Sequence, residues 1–399
     1  MGEAKELLAL FVLVLTYLGL GVGHLPGYRM NRAGIALVGA AFLILLGVLD
    51  LETAWRALDP DALVFLFGVM VLNAQLSYAG FFPWATLGLL RMARSPFALL
   101  VLLTFGTGLL SAFFLNDTMA LLLTPLVLEL TRALTLRPLP YLLALAGATN
   151  LGSVATLTGN PQNILVGAVS GIPYLDFARA LAPVALVGLA LQVGLIALLF
   201  PETRSLAPLP AFSVPRFRLH QGMLAKGLGV AAALFLAFLL GYPLAQGALV
   251  AAGAVLFTRR LRSERFFVRV DWELLVMFSG LFMVTQGVRV LGLLDPIRPW
   301  AETPLGLLLS TALLSNLVSN VPAVLLLSPL VEDQKAWLLL AAASTLAGNL
   351  TLLGSVANLI VAEAARREGH KLGFLEHLRF GLPLTLLTLL LAYGWIYHR

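Results

Sequence analysis

The sequence predicts an all-α, polytopic membrane protein with about ten transmembrane helices and two re-entrant hairpins, arranged as two inverted repeats. Three observations lead to this fold class. Of the 399 residues, 60% are hydrophobic and only 12% are charged, whereas a soluble domain carries about 25% charged residues. Several charge-free runs exceed the roughly 20 residues that a helix needs to cross a bilayer. Segments of the first half also recur in the second half.

The apolar runs predict helices, because membrane-barrel strands would alternate apolar and polar residues and these runs do not. The first run, Leu7 to Gly23, lacks a basic leader and a small-residue cleavage pattern, so we expect it to be retained as a helix. The predicted spans are, in chain order, 7–23, 30–49, 61–80, 141–169, 178–200, 223–241, 243–259, 271–292, 336–366 and 379–397.

Two further stretches, 95–132 and 303–331, are predicted to return to the side from which they enter. Residues 113–119 read Phe-Phe-Leu-Asn-Asp-Thr-Met, which is too short and too apolar for a loop in water. Non-helical backbone at membrane depth survives only when it is buried in protein or lines a wet cavity. This favours a re-entrant hairpin over two full helices joined by a tight turn.

The basic residues orient the protein. Most of the 26 lysines and arginines fall on one side of the predicted topology, and an excess of these residues marks cytoplasmic loops. Both termini are therefore predicted to lie outside. The same bias explains the basic composition, so no nucleic-acid partner is predicted. The cytoplasmic set is Arg29, Arg32, Arg91, Arg94, Arg132, Arg137, Arg204, Arg216, Arg218, Lys226, Arg259, Arg260, Arg262, Arg265, Arg269, Arg366, Arg367, Lys371 and Arg379. The opposite set is Lys5, Arg56, Arg179, Arg289, Arg298, Lys335 and Arg399.

Three segments repeat in the same order. Residues 61–68 correspond to 273–280, residues 111–126 to 315–330 without a gap, and residues 156–166 to 351–361. Ser, Asn, Gly and Pro recur at fixed offsets, which apolar composition alone does not explain. Because the first copy is predicted to begin outside and the second inside, the repeats are predicted to be inverted, as in many secondary transporters.

These boundaries divide the chain into four predicted parts. Residues 1–57 are N-terminal scaffold helices, and residues 58–200 form repeat 1 with the hairpin 95–132 and the broken helix 141–169. Residues 201–269 form a cytoplasmic loop and linking scaffold helices. Residues 270–399 form repeat 2 with the hairpin 303–331 and the broken helix 336–366.

Each repeat supplies two polar interruptions within apolar sequence, a hairpin tip and a helix break. Free amide groups at the start of a half-helix attract an anion, while released carbonyls and Asn oxygens can coordinate Na⁺. Capping of the second hairpin arm is a simpler role for the two tip asparagines, and it is compatible with ligand binding. The predicted substrate- and ion-binding residues are Asn116, Asp117, Thr118, Asn150, Thr158, Gly159, Asn160, Asn163, Ser319, Asn320, Asn349, Gly354, Ser355 and Asn358.

Asp117 stands out among them, because a carboxylate at membrane depth is costly unless it is paired, protonated or bound to a metal ion. Its counterpart in the second repeat is Val321, so the repeat itself does not demand the charge. We expect Asp117 to carry a coupling proton or to help bind a coupling cation. Asn116, Asp117 and Asn320 are the candidate Na⁺ ligands.

The motifs resemble the ion transporter superfamily of arsenite permeases, citrate-type carriers, divalent-anion sodium symporters and one class of sodium/proton antiporters. The resemblance covers residues 58–366. Residues 113–125 are similar to the arsenite permease pattern, and Thr-Gly-Asn-Pro-Gln-Asn at 158–163 is similar to citrate-type permeases. The resemblance implies a homodimer and an elevator mechanism, in which hairpins and broken helices move against a scaffold. Dicarboxylate symporters carry Ser-Asn-Thr at both tips, whereas these tips read Leu-Asn-Asp and Ser-Asn-Val, which favours an arsenite-like or other small anion.

The expected function is therefore secondary active transport, across the inner (plasma) membrane, of an inorganic oxyanion such as arsenite or of a carboxylate, coupled to H⁺ or Na⁺. A Na⁺/H⁺ antiporter and a passive anion channel are the alternatives. The chain has no Walker A sequence, so energy must come from an ion gradient or from a separate ATPase subunit. It has no cysteine and no paired base and nucleophile within its helices, so neither an enzyme nor a cofactor beyond the coupling ion is predicted. The expected partners are the anion and the lipid bilayer.

Overall fold

The computed structural model describes residues 3–24, 27–210 and 218–398. Within these ranges every regular element is a helix, and seven helices are long and apolar enough to cross a membrane. The prediction of an all-α, polytopic membrane protein is therefore confirmed. Arg216 and Arg399, which belong to the predicted charge pattern, lie outside the described residues.

Three helices precede the first repeated segment: α1 (Glu3–Val22), α2 (Arg32–Leu45) and α3 (Leu51–Arg56). Helix α2 begins where the Asn31 side chain accepts a hydrogen bond from Gly34 N at 3.0 Å, as an N-cap does. One face of α1 leaves its apolar side chains uncovered, with Leu7 68% exposed. A continuous apolar face of this kind suits contact with lipid.

Seven helices cover the first half. The sequence did not predict the short α5, because ten apolar residues are too few for a span. The two arms of the predicted hairpin are α6 and α7, and the predicted broken helix is divided into α8 and α9 by residues 154–160. The helices are α4 (Pro60–Ala79), α5 (Phe81–Leu90), α6 (Pro96–Phe113), α7 (Asn116–Ala133), α8 (Pro138–Ser153), α9 (Pro161–Ser170) and α10 (Tyr174–Leu199).

Three helices connect the halves: α11 (Gln221–Leu239), α12 (Leu244–Leu256) and the short α13 (Ser263–Val268). The second half then repeats the order of the first, with an arm pair α16 and α17 and a helix broken at residues 348–355. Its helices are α14 (Trp272–Val290), α15 (Arg298–Ala301), α16 (Pro304–Val318), α17 (Asn320–Leu327), α18 (Gln334–Ala347), α19 (Val356–Arg367) and α20 (Phe374–Tyr397). Two 3₁₀ segments, Pro201–Arg204 and Ser328–Leu330, complete the described elements.

Equivalent glycines set the packing of the first helix of each half. A Cβ on Gly68 of α4 would lie 2.5 Å from Ala248 O of α12, and one on Gly280 of α14 would lie 2.7 Å from the carbonyl carbon of Ala36 in α2. Both distances are below van der Waals contact, so each helix pair approaches this closely only because no side chain intervenes. Gly68 and Gly280 occupy matching positions in the first repeated segment.

Helices α8 and α18 form the centre of the molecule. Residues 139–153 of α8 and 337–347 of α18 are buried throughout. A helix that is covered on every side can present polar groups to neighbouring helices and not to lipid. The polar residues near the C-terminal ends of α8 and α18 therefore lie inside the protein, where the breaks begin.

Candidate functional site

The two hairpin turns and the two helix breaks meet at one cavity of about 170 Å³. We call it the tip cavity. The first residues of α7, α9, α17 and α19 all contribute to its wall, so four helix N-termini converge on one space. Residues at the start of α2 and α14 complete the wall. The lining residues are Arg32, Ala33, Asn116, Asp117, Pro161, Gln162, Asp271, Glu273, Leu274, Met277, Ser319, Asn320, Val321, Ser355 and Val356.

The first tip is held by Asn116, which is buried. Its backbone N–H donates to Gly159 O at 2.9 Å, and its side-chain nitrogen donates to Asn150 Oδ1 at 3.3 Å. Its side-chain oxygen accepts from the Asp117 N–H at 3.0 Å. Asn116 thus attaches the tip to the first break. The expected capping role is wrong for both tip asparagines, because Asn116 and Asn320 are the first residues of α7 and α17 and neither helix has a side-chain cap.

Asp117 is half-buried and faces the tip cavity. Within the described residues, no side chain forms a hydrogen bond or ion pair with its carboxylate. Arg32 lines the same cavity but uses its Nε to donate to Leu20 O at 3.0 Å. A half-buried carboxylate without a described side-chain partner has the chemistry to bind an ion or a proton. Thr118 lines an adjoining chamber instead of the tip cavity.

In the first break, two asparagines satisfy the backbone groups that unwinding frees. Asn160 accepts a hydrogen bond from Asn163 N at 2.8 Å and caps α9. The Asn163 side chain donates to Ser153 O at 3.0 Å and to Thr156 O at 2.9 Å, and so pairs carbonyls that α8 leaves without helical partners. These bonds allow an interruption of the helix to persist in the buried interior.

The second break is built in the same way. The Asn358 side chain donates to Gly348 O at 2.8 Å and to Thr351 O at 3.2 Å. Ser355 accepts from Ala357 N at 3.2 Å and caps α19. Asn358, Gly348, Thr351 and Ser355 occupy the positions that Asn163, Ser153, Thr156 and Asn160 occupy in the repeated segment. The sequence match is therefore accompanied by matching hydrogen bonds.

Two further pairs join the halves. The Ser355 hydroxyl donates to Asn150 Oδ1 at 2.9 Å, and the Asn160 side chain donates to Thr345 Oγ1 at 3.2 Å. Because Asn150 matches Thr345 and Asn160 matches Ser355 in the repeat, each pair is the counterpart of the other. Asn150 also donates to Asn349 Oδ1 at 2.8 Å and to Asn358 Oδ1 at 3.2 Å. Both breaks are thereby joined in one polar network below the tip cavity.

The second tip turns at Ser319, whose φ of 81° and ψ of 160° lie in a region that side chains rarely adopt. The following Asn320 is buried, and its amide, oriented to match its surroundings, donates to Ser344 O and Gly354 O at 3.1 Å each. Asn320 therefore attaches its tip to the second break, as Asn116 does in the first half.

The structure thus sorts the predicted site residues into three groups. Asn116, Asp117, Ser319, Asn320 and Ser355 line the tip cavity. The buried network beneath contains Asn150, Asn160, Asn163, Asn349 and Asn358. The remaining residues, Thr118, Thr158, Gly159 and Gly354, do not line the tip cavity.

Among that last group, Thr158 lies in a hydroxyl cluster with Thr156 at 3.2 Å and Tyr174 at 3.1 Å. The two glycines serve close packing. A Cβ on Gly159 would lie 2.4 Å from Ser153 O, and one on Gly354 would lie 2.6 Å from Asn316 Oδ1. These positions belong to the motifs, but their described contacts are structural.

Sequence reasoning missed Arg32, Gln162, Asp271 and Glu273, which also line the tip cavity. Gln162 lies within the quoted Thr-Gly-Asn-Pro-Gln-Asn motif, so a signal was present. Glu273 is the first residue of the repeated segment 273–280, but that repeat by itself does not indicate a place in the cavity wall. Arg32 and Asp271 are distant in sequence from both tips, and their approach depends on how α2 and α14 pack.

A many-helix membrane protein whose polar groups converge on one cavity has the architecture of a multi-pass membrane transporter. Residues 11–347 match the family described as CitMHS, citrate transporter. Since this match covers most of the chain, the protein belongs to the CitMHS citrate transporter family.

Similar proteins share nearly the full length. The silicon efflux transporter LSI3 of Oryza sativa subsp. japonica is 30% identical, over 91% of this chain and 92% of the relative. The putative transporter arsB of Dictyostelium discoideum is 24% identical, over 92% of this chain and 87% of the relative. The inner membrane protein YbiR of Escherichia coli K12 is 28% identical, over 84% and 87% respectively.

Proposed function

We propose that the protein is a secondary active transporter. It moves a small oxyanion, or the neutral acid that forms when this oxyanion is protonated, and it couples this transport to a gradient of H⁺ or Na⁺. The observation that supports this proposal is the tip cavity, where both hairpin turns and both helix breaks contribute to one wall. Family membership supports transport as such. The substrate, the coupling ion and the mechanism are the additional elements of the proposal.

The anion would bind to the convergent helix N-termini. Each N-terminus carries roughly half a positive charge and several amide groups without helical partners, and such ends are common anion sites. Arg32 adds a guanidinium at the rim, while the side chains of Gln162 and Ser319 add hydrogen-bonding groups. A small oxygen-rich solute could satisfy these donors simultaneously.

An arsenite-like substrate fits better than a large carboxylate. The first tip reads Leu-Asn-Asp, and Asp117, Asp271 and Glu273 line the cavity with Arg32 as the only basic residue in its described wall. Several carboxylates would repel a fully ionised tricarboxylate, whereas a weakly acidic hydroxide carries little charge. The relatives named for silicon efflux and for arsB agree with this choice.

Asp117 would couple the ion to the solute. Its carboxylate has no described side-chain partner, and it lies at the tip beside the four N-termini. Binding of Na⁺ by Asn116, Asp117 and Asn320, or protonation of Asp117, would change the charge that a solute meets. Coupling then follows because each ligand alters the free energy of binding the other.

Movement would follow the elevator scheme that the repeats suggest. The hairpins and broken helices of residues 58–200 and 270–399 would move as one body, because the Asn150–Ser355 and Asn160–Thr345 pairs join them. The helices of residues 1–57 and 201–269 would remain as scaffold. We place the basic loops in the cytoplasm with both termini outside, and expect a homodimer whose contacts use apolar faces such as that of α1.

The test is concentrative uptake by proteoliposomes, with arsenite, silicic acid and citrate as separate probes and with imposed H⁺ or Na⁺ gradients. We expect arsenite or silicic acid to accumulate above equilibrium under one gradient. Equilibration without accumulation would instead indicate a passive anion channel, and dependence on a partner would indicate a separate ATPase subunit.

A Na⁺/H⁺ antiporter is the second candidate, and the carboxylates Asp117, Asp271 and Glu273 favour it. In the same vesicles it would exchange Na⁺ for H⁺ with no anion present. Exchange in the absence of all three probes would select this function over the first.

A further inference from the structure

Asn73, in the middle of α4, is a buried polar residue that the transport scheme leaves unexplained. Its side chain is 4% exposed, and within the described residues neither its amide oxygen nor its amide nitrogen has a hydrogen-bond partner. An amide buried without partners destabilises the folded protein. Such a group calls for a ligand or for ordered water.

Asn73 lines a chamber of about 120 Å³ that adjoins the tip cavity. We call it the Asn73 chamber. Asp117 and Asp271 belong to the walls of both spaces, so the chamber reaches the first tip from the side of α4. The polar residues of its wall are Asn73, Ser77, Asp117, Thr118, Arg269 and Asp271.

The chemistry of this wall suits a monovalent cation. Apart from Arg269, its polar side chains offer carboxylate, amide and hydroxyl oxygens, the ligands that hard cations prefer. The guanidinium of Arg269 lies over the Tyr78 ring, 5.0 Å from its centroid. Two carboxylates and one guanidinium give the chamber a net charge near −1, which one monovalent ion would neutralise.

Ordered water completes such a site. The Asn73 amide presents both a donor and an acceptor, and a bare cation would satisfy only the oxygen. The chamber is large enough for ordered water or for an ion with part of its hydration shell. Asn73 would therefore hold the ion through water as well as directly.

The matching cavity in the other half differs in charge, because Arg56 and Arg289 balance its carboxylates, Asp59 and Asp61. Thr285 and Arg289 hold the positions in α14 that Asn73 and Ser77 hold in α4, and both line a cavity of about 340 Å³. Arg289 there replaces a hydroxyl with a positive charge, and the counterpart of Asp117 is Val321. A cation site is thus expected beside only one of the two tips.

We propose that the Asn73 chamber is a Na⁺ site that brings the coupling ion to Asp117 from the side of α4, apart from the solute in the tip cavity. The proposal rests on the proposed function and names its coupling ion. The charged groups that face the ion are Asp117 of α7, Asp271 at the start of α14 and Arg269; Arg32 and Glu273 face the adjoining cavity.

The experiment is a thermal-shift titration of the full-length protein with NaCl at constant ionic strength, with choline and potassium chlorides as references. Na⁺ should stabilise the native protein as its binding site fills. Asn73→Val should weaken the apparent Na⁺ affinity by about tenfold to a hundredfold, as loss of a residue that supports a metal site does. Thr285→Val, the matched change in the other half, should titrate like the unmodified protein.

If Asn73→Val does not fold, Ser77→Cys provides a second measurement, because the chain has no other cysteine. Na⁺ should slow the reaction of Cys at this position with a small thiol reagent, and potassium should not. The proposal is overturned if Na⁺ stabilises no better than choline, if Asn73→Val titrates like the unmodified protein, or if Na⁺ gives no protection.

These failures are distinguishable from failure of the proposed function. Concentrative arsenite or silicic acid uptake driven by H⁺ alone would leave the transporter in place and remove the Na⁺ site. Absence of concentrative uptake under every gradient would remove the transporter instead.

Discussion

Asp117 and Val321 occupy equivalent positions in two tips that otherwise share their asparagine. The difference gives one half of the molecule an ionisable group with no described side-chain partner, while the other half stays neutral. Asn116 and Asn320 attach both tips to their own helix breaks. Attachment is therefore common to both halves, and we assign ion coupling to the first.

Asp117→Asn should leave a folded protein that no longer accumulates its solute. The amide keeps the size of the side chain but removes its charge, so the coupling between ion and solute, commonly about 5- to 150-fold in affinity, is lost. Uptake by proteoliposomes under the effective gradient measures the change. Asp176→Asn is the control, because Asp176 is an exposed residue in a surface ion pair with Arg179. Full accumulation by Asp117→Asn would contradict the assignment.

Ser319 holds a backbone conformation that suits glycine. We expect Ser319→Gly to be more stable than Ser319→Ala by about 1–3 kcal/mol, because only glycine removes the Cβ that makes this conformation costly. Thermal unfolding of both variants in detergent measures the difference. Thr135, with φ of 52°, is the control, and its glycine and alanine variants should differ by less, since its conformation is a milder left-handed one. Equal stability of the two Ser319 variants would show that the tip is unstrained.

At the scale of elements, sequence patterns predicted the arms and the breaks better than the contacts between them. The sequence predicted a broken helix over 141–169, and the helix is interrupted at 154–160. The bond from Ser355 to Asn150 joins residues far apart in sequence, so it depends on tertiary packing that no local pattern encodes. The short helices α3, α5, α13 and α15 escaped prediction because each has too few residues for a clear period.

Asn163 and Asn358 should be essential to the breaks. Replacing either with Leu leaves two carbonyls without the amide that pairs them, at a cost of about 1–3 kcal/mol for each carbonyl that is buried; Thr351 O is part-buried. Thermal stability should fall in both variants, and by more in Asn358→Leu, because Asn358 Oδ1 also accepts a hydrogen bond from Asn150. Thr104→Val is the control, since the Thr104 hydroxyl is buried and has no described partner, so its removal should be neutral or stabilising. If Asn358→Leu were as stable as the unmodified protein, water would have to form the hydrogen bonds to these carbonyls instead.

At the scale of the whole molecule, the orientation rests on charge. Single cysteines introduced at Arg132 and at Glu302 test it in a chain that has no cysteine of its own. Both side chains are well exposed, at 61% and 45%. A membrane-impermeant thiol reagent added to intact cells should label only the Glu302→Cys variant, because the basic loops are predicted to face the cytoplasm. Labelling of the Arg132→Cys variant alone would show that the protein has the opposite orientation in the membrane.

The cross-pairs between the halves also constrain how this protein can change over evolution. Each pair joins one residue of the first half to one of the second half: Asn150 with Ser355, and Asn160 with Thr345. A duplicated unit usually diverges freely once its copies are separate, but here a change in one copy removes the partner of a buried group in the other. We expect relatives to show linked substitutions at 150 with 355 and at 160 with 345. The hydrogen bonds between the halves would then persist even though the residue types that form them differ between the halves, as do the tip residues Asp117 and Val321.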